Sequence, residues 1–141
     1  MKIAILTTFH EFNPGYSLTG IVKDQALMLT RFGHEVSIVV AKGYHGEKLD
    51  YPLLTILPDD IPLIDYACLN DLSTEHHLMS DRVAEVLTQE LADMDVVLTH
   101  DVLLTGWNLP YFVGLTKVTG LKCSWFHGFM SLPTKRWPES E

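Results

Sequence analysis

The first forty residues constrain the fold more than any other part of the sequence. Residues 2–8 form a near-continuous apolar run, which is typical of a strand buried on both faces of a sheet. A helical pattern follows over residues 18–32, and Gly33 stands where a left-handed C-terminal cap is expected. A second apolar run covers residues 35–40. This order predicts a βαβ unit, which crosses over right-handed in a parallel sheet in nearly all cases.

The rest of the chain repeats the alternation of strands and helices. We predict strands over residues 51–57, 95–100 and 121–126, and helices over residues 80–92, capped by Ser80, and 108–119, capped by Asn108. The pattern therefore indicates an α/β fold, a Rossmann-like doubly wound and mainly parallel sheet of about five strands. We expect this domain to span residues 1–128. The tail, residues 129–141, is expected to cover a sheet edge or to contact a partner.

Composition limits the classes of function that fit the chain. Its 141 residues are 47% hydrophobic and bear a formal charge of −8, which suits one domain with a sizeable core. The acidic balance argues against nucleic acid and anionic lipid as partners. No apolar run approaches the ~18–20 residues of a membrane span, so we expect no transmembrane segment and a cytoplasmic protein. Cys68 and Cys123 lack metal-ligand spacing, so neither a disulfide framework nor a bound metal is expected.

Ligands of doubly wound sheets bind beyond the carboxyl ends of the strands. Gly15 and Gly20 follow the first strand and open a helix, where backbone N–H groups can hold a phosphate. The alternative is that both glycines only shape a turn. A nicotinamide dinucleotide fits poorly, because Ala41 and Lys42 stand where that site needs an acid. Walker A and G-x-S-x-G motifs are absent from the sequence.

Three further positions place polar residues at the same edge. His10 follows the first strand, His100 and Asp101 end the fourth, and His127 and Gly128 end the fifth. An imidazole there can act as a general base or bind a substrate hydroxyl, because it titrates near working pH. The alternative is a strand-end histidine that only satisfies a backbone carbonyl, or a polar pair that caps the next segment.

Four segments together resemble a known family. They are Gly-Tyr-Ser-Leu-Thr-Gly at residues 15–20, Arg-Phe-Gly-His-Glu-Val-Ser-Ile-Val-Val at 31–40, Asp-Val-Val-Leu-Thr-His-Asp at 95–101 and Ser-Trp-Phe-His-Gly at 124–128. Their types and order are similar to the N-terminal domain of GT-B glycosyltransferases, most closely glycosyltransferase family 4. The similarity spans nearly the whole chain. It implies a fold of two Rossmann-like domains with the active site in the cleft between them.

The resemblance also implies roles for the residues at the strand ends. The N-terminal domain of the family mainly holds the acceptor, and its C-terminal domain binds the nucleotide-sugar donor, which is a substrate rather than a cofactor. His127 matches the histidine that contacts the sugar and helps catalysis. The donor phosphate or sugar is expected at Gly15 and Gly20, and the acceptor at His10, His100, Asp101 and Gly128.

The chain departs from the family pattern in two respects. The usual Gly-Gly pair of the first loop is Thr19-Gly20 here, and the C-terminal domain, with its Glu-x7-Glu segment, is missing. We therefore expect the acceptor-binding part of a retaining glycosyltransferase, inactive without a C-terminal donor domain. A separate donor-domain chain or a second copy of the chain is the expected partner, beside a sugar or glycan acceptor.

Two other functions compete with this interpretation. The first is a non-catalytic binding or assembly module that keeps the Rossmann-like fold. The second is another nucleotide-binding class, such as a small response-regulator-like domain. That class requires an acidic cluster after the first strand, where this chain has Thr-Thr-Phe-His at residues 7–10.

Overall fold

A computed structural model describes residues 1–59, 64, 65, 67–100, 108–122 and, for the backbone alone, 124–127. Its elements, in chain order, are β1 (Lys2–Leu6), α1 (Ser17–Arg31), β2 (Glu35–Ala41), β3 (Leu53–Leu57), a short 3-10 turn (Leu69–Asp71), α2 (Thr74–Glu90), β4 (Val96–His100), α3 (Leu109–Lys117) and β5 (Ser124–His127). The predicted tail over residues 129–141 lies outside the described residues.

The strands form one sheet in the order β3-β2-β1-β4-β5, and all four pairings are parallel. Helix α1 packs on one face of the sheet, and α2 and α3 pack on the other. The predicted α/β class and parallel sheet are therefore confirmed. The chain runs outward from β1 to β3 and then returns to the opposite side of β1 with β4. Between β1 and β4 the strand order reverses, and such a switch point is where doubly wound sheets bind ligands.

Strand β1 is central because side chains cover it on both faces. Ala4 and Leu6 pack against the α2 and α3 side, while Ile5 packs against the α1 side. Each of these three side chains is at most 1% exposed. Strands buried on both faces have apolar residues at every position, which is why residues 3–6 are all apolar and do not alternate.

Helix α1 ends as its sequence predicts. Gly33 adopts a φ of 80°, and its N–H donates to the carbonyl oxygen of Thr30 at 2.9 Å. The N–H of His34 donates to the carbonyl oxygen of Leu29 at 3.1 Å. These bonds satisfy carbonyls that the last turn leaves unpaired, in a conformation that glycine adopts without steric cost.

The N-terminus of α2 corrects the sequence-based prediction. The helix begins at Thr74 with Ser73 as its cap, not at Ser80. The Ser73 hydroxyl accepts the His76 N–H at 3.4 Å, and Nδ1 of His76 accepts the Ser73 N–H at 3.0 Å. Histidine here takes the place that Glu or Gln has in a capping box, so the sequence does not match the usual signature. Ser80 lies inside the helix, and its hydroxyl donates to the His76 carbonyl at 2.9 Å.

Strand β5 is shorter than predicted, beginning at Ser124 instead of residue 121. The apolar residue at the predicted start of the strand packs in the core instead. Leu121 packs against the core cluster on the α2 and α3 side of the sheet instead of continuing the strand. Periodicity alone does not distinguish a strand residue from a buried loop residue in so short a segment.

Gly114 allows α2 and α3 to pack closely. A Cβ atom at this position would lie 2.7 Å from Val83 Cγ1 and 2.8 Å from the Ser80 carbonyl oxygen. The Ser80 oxygen belongs to the backbone, so it moves away less easily than a flexible side chain. Glycine at this position therefore sets the distance between the two helices.

We expect Gly114→Ala to lower the free energy of unfolding by about 1–3 kcal/mol, as overpacking of a core does. The matched control is Gly20→Ala in α1, where an added Cβ meets no atom within 4 Å. That variant should be unchanged or up to about 1 kcal/mol more stable, because alanine favours the helix. Urea unfolding of both variants measures the difference. Equal stability of the two would show that the helices are not in close contact at Gly114.

Candidate functional site

The carboxyl edge of the sheet holds two separate places where a ligand could bind, one on each face. We call the first the α1 crevice. It comprises the first turn of α1 (residues 17–20), which follows the loop after β1 at the carboxyl edge of the sheet. The second, the edge cavity, lies over the ends of β1, β2 and β3 on the side of α2 and α3. Its volume is about 210 Å³, and its lining residues are Thr8, His10, Ala41, Leu57, Pro58, Asp59, Met79, Asn108 and Tyr111.

The α1 crevice has the electrostatics of an anion site. The first turn of α1 contains no acidic residue, and a helix N-terminus presents unpaired N–H groups with a partial positive charge. Thr19 in this turn is 4% exposed, and its hydroxyl has no hydrogen-bond partner among the described residues. A buried hydroxyl without a partner is uncommon in folded proteins, so it marks a place where a ligand or water can bind.

The two glycines of the first loop differ in their surroundings. The N–H of Gly15 donates to the side-chain oxygen of Asn13 at 2.8 Å, and the Tyr16 N–H donates to the Asn13 carbonyl at 3.0 Å. Gly15 therefore forms part of a turn. Gly20 lies within the first turn of α1, exposed, with open space where a side chain would stand. Only Gly20 keeps the geometry that close approach by a phosphate requires.

The two strand-end histidines stand next to each other in the sheet. His100 ends β4 and pairs in register with His127, which ends β5. The His100 side chain is 3% exposed, and its Nε2 donates to Oε1 of Gln25 in α1 at 2.8 Å. This bond holds the imidazole on the α1 side of the sheet. Asp101 and Gly128, the two predicted acceptor residues that follow these histidines, lie outside the described residues.

A carboxylate and an imidazole meet at the mouth of the edge cavity. Nε2 of His10 lies 3.7 Å from Oδ2 of Asp59. The same oxygen accepts the N–H of Gly43 at 2.7 Å, which fixes the carboxylate against the loop after β2. His10 was predicted from the sequence as an acceptor residue, but Asp59 was not. Asp59 follows β3. Polar residues at strand ends are the signal that indicated His10, and the same signal at the end of β3 indicates Asp59.

Tyr111 lies in the wall of the edge cavity with a buried hydroxyl. The residue is 1% exposed, and the hydroxyl has no hydrogen-bond partner among the described residues. Burial raises the pKa of Tyr111 far above its usual range, so the group stays neutral and able to donate at physiological pH. No pattern in the sequence marks this residue, because an aromatic side chain in a helix normally belongs to the core.

The start of α3 places Tyr111 in the wall. Asn108 adopts a left-handed conformation with a φ of 51°, and its side-chain oxygen accepts the Tyr111 N–H at 3.3 Å. The N–H of Asn108 donates in turn to Oδ1 of Asp65 at 2.7 Å. Asn108 is confirmed as the cap of α3, and Pro110 lies in the first turn, where a missing N–H costs no helical hydrogen bond.

Comparison with protein-family models gives no match for this sequence, and comparison with curated proteins gives none either. Within the part of the chain that the structure describes, no group of three His, Cys, Asp or Glu side chains is placed to hold a metal ion. The helices in that part are too short or too polar to cross a membrane.

The two hydroxyls without partners generate a prediction on stability. We expect Thr19→Val and Tyr111→Phe to leave the free energy of unfolding unchanged or to raise it by up to about 1–3 kcal/mol, because each removes an uncompensated desolvation cost. Matched controls lose a bonded hydroxyl instead. They are Thr7→Val, which removes a donor to the Val39 carbonyl at 2.7 Å, and Tyr44→Phe, which removes a donor to the Glu47 carbonyl at 2.6 Å.

Both control variants should be less stable by about 1 kcal/mol in urea unfolding. The comparison separates the loss of a hydroxyl from the loss of its hydrogen bond. If Thr19→Val and Tyr111→Phe are destabilised as much as the controls, the two hydroxyls have partners in solution.

Proposed function

We propose that this chain is the N-terminal, acceptor-side part of a retaining glycosyltransferase that works in the cytoplasm. Such an enzyme moves a sugar from a nucleotide-sugar to an acceptor, and its donor-binding domain would be supplied by another part of the protein or by another chain. The resemblance of four segments to glycosyltransferase family 4 supports the proposal. So does the parallel sheet, whose switch point lies between β1 and β4.

The observation that carries the proposal is the α1 crevice at this switch point. A diphosphate leaving group needs N–H and hydroxyl donors, and the first turn of α1 offers both without a competing acid. Gly20 leaves open space beside the turn, and the neighbouring Thr19 has a buried hydroxyl without a partner among the described residues. The Thr19-Gly20 pair, which departs from the family's Gly-Gly, is thus compatible with phosphate binding on these contacts.

The histidines at the ends of β4 and β5 suggest how the chain contributes to transfer. Retaining transfer depends on stabilising the leaving diphosphate and the positive charge that develops on the sugar, more than on a strong base. We assign His127 to contact the transferred sugar. His100 is bonded to Gln25, so we assign it to hold α1 against the end of β4 and not to bind the acceptor directly. His10 is kept on the acceptor side, at the edge cavity.

A binding experiment on three variants tests this assignment. Titration of the chain with UDP-, GDP- and ADP-sugars should reveal one that binds. We expect Gly20→Ala to weaken its binding about tenfold, because the added methyl meets the phosphate and costs one or two hydrogen bonds. His127→Ala should weaken binding of the nucleotide-sugar but not of the free nucleoside diphosphate. Thr30→Ala, an exposed change at the other end of α1, should bind as the unaltered chain does.

Equal affinity of Gly20→Ala and the unaltered chain would exclude the α1 crevice as the phosphate site. Failure of every nucleotide-sugar to bind the chain alone would exclude a donor contact at the α1 crevice, and the absence of sugar transfer when a donor-binding domain is supplied as well would contradict the glycosyltransferase proposal itself.

The exposed face of α1 favours a second candidate function, a non-catalytic binding or assembly module. Met28 is 49% exposed and Phe32 is 78% exposed, and the two are one helical turn apart. Two large apolar side chains in this position can form part of an interface. Light scattering distinguishes the candidates. A dimer that dissociates in Phe32→Lys and binds no nucleotide-sugar would favour the assembly module.

A further inference from the structure

The edge cavity combines polar and apolar walls in a way that the α1 crevice does not. Five of its lining residues are polar, namely Thr8, His10, Asp59, Asn108 and Tyr111. The remaining lining residues are apolar and come from the carboxyl ends of β2 and β3 and from α2: Ala41, Leu57, Pro58 and Met79. A ligand that fits both parts must present hydroxyl or carbonyl groups beside a C–H surface.

The Tyr111 hydroxyl is the observation that points to a ligand. It is buried, it belongs to a residue that lines the cavity, and it has no hydrogen-bond partner among the described residues. Leaving a buried donor unpaired costs about 1–3 kcal/mol, a cost that an oxygen atom of a ligand would remove. The neutral phenol can donate one hydrogen bond and accept another. A hydroxyl group suits it in either role.

Asp59 supplies the complementary acceptor. Its side chain is 25% exposed, and Oδ2 is held by the Gly43 N–H while His10 stands 3.7 Å away. A carboxylate oxygen that is fixed in this way is a strong acceptor for a ligand hydroxyl. Thr8 and Asn108 add further polar groups to the same lining. A ligand with hydroxyls on more than one side of a ring could therefore bond at several points.

Size and charge narrow the class of ligand. A cavity of about 210 Å³ is smaller than the ~300–1,000 Å³ that drug-sized ligands occupy, so it suits a single six-membered ring. Neither lysine nor arginine is among the described lining residues, while Asp59 places a negative charge there. An anionic ligand would be repelled by that carboxylate, and the described part of the lining offers no basic side chain to offset the repulsion.

We propose that the edge cavity binds one uncharged monosaccharide in its ring form, with Tyr111 and Asp59 bonding its hydroxyls and the apolar wall packing against its C–H face. That this sugar is the acceptor of a transfer reaction rests on the proposed function. The binding itself does not, because it needs neither a donor nor a transfer step.

Ligand-detected NMR and calorimetric titration with D-glucose, D-galactose and D-mannose test the proposal on the full chain. At least one of these sugars should bind. D-Sorbitol, which has the hydroxyls without the ring, and D-glucose 6-phosphate, which adds negative charge, should bind at least tenfold more weakly. Tyr111→Phe should weaken sugar binding about tenfold, and Asp59→Asn should do so by about tenfold or more, since a bond to a charged acceptor is the stronger.

Matched controls lie outside the edge cavity. Tyr51→Phe and Asp93→Asn make the same chemical changes at residues that are absent from its lining, so both should leave sugar affinity unchanged. Asp59→Asn keeps an oxygen for the Gly43 N–H, and Tyr111→Phe removes a hydroxyl without a partner, so both variants are expected to fold. Urea unfolding verifies that they do.

Three results would overturn the proposal. They are the absence of binding by all three sugars, equal affinity of both cavity variants and the unaltered chain, and tighter binding of D-glucose 6-phosphate. These outcomes are separable from failure of the proposed function. Nucleotide-sugar binding is measured at the α1 crevice on the opposite face, with Gly20→Ala as its own variant, so either site can fail while the other binds.

Discussion

The burial of β1 on both faces is the constraint on which the rest of the structure depends. Its backbone bonds to β2 on one side and to β4 on the other, so no edge of this strand meets solvent. At its amino end, the Lys2 N–H donates to Oδ2 of Asp95 at 2.8 Å, which aligns the start of β4 with β1. Because all pairings are parallel, every strand must end at the same edge. The candidate site residues meet there for that reason.

The alternation of side chains along β1 divides that edge into two sites. Ile5 packs with the α1 cluster, and Thr7 donates to the Val39 carbonyl at the end of the strand. Thr8 lines the edge cavity on the other side. The anion-binding geometry of α1 and the polar cavity below α3 are therefore separated by the sheet itself. A ligand bound to both would have to extend over its carboxyl edge.

The shape of the edge cavity depends on the contacts that position α3. Gly114 lets α3 approach Val83 in α2, and the Leu109 N–H donates to the Ile64 carbonyl at 3.0 Å. Asn108 connects the start of α3 to Asp65. Together these contacts set the position of Tyr111 relative to Asp59. A substitution that moves α3 would thus change the cavity without touching any group in it.

The sequence by itself determined the order of the strands, the helix α1 with its Gly33 cap, the cap of α3 at Asn108 and the α/β class, but not the start of β5. These features depend on hydrophobic period and on hydrogen bonds between residues a few positions apart, which a linear pattern contains. The same local rules failed at Ser73, since His76 is not a residue that the capping signature includes. The predicted parallel sheet also indicated that His10 and His100 lie at one edge, because parallel strands end at the same edge of a sheet.

Only the tertiary structure decided on which face of the sheet each side chain lies. His100 bonds to Gln25, 75 residues away, and Asp59 bonds to Gly43 in a neighbouring loop. The Tyr111 hydroxyl is unpartnered because of how α3 packs on the sheet, and nothing in the residues around it signals that outcome. Contacts of this kind are set by the packing of whole elements against one another. The sequence predicted the edge at which the candidate site residues meet, and the packing of three helices decided that the start of α1 lies on one face of it and the edge cavity on the other.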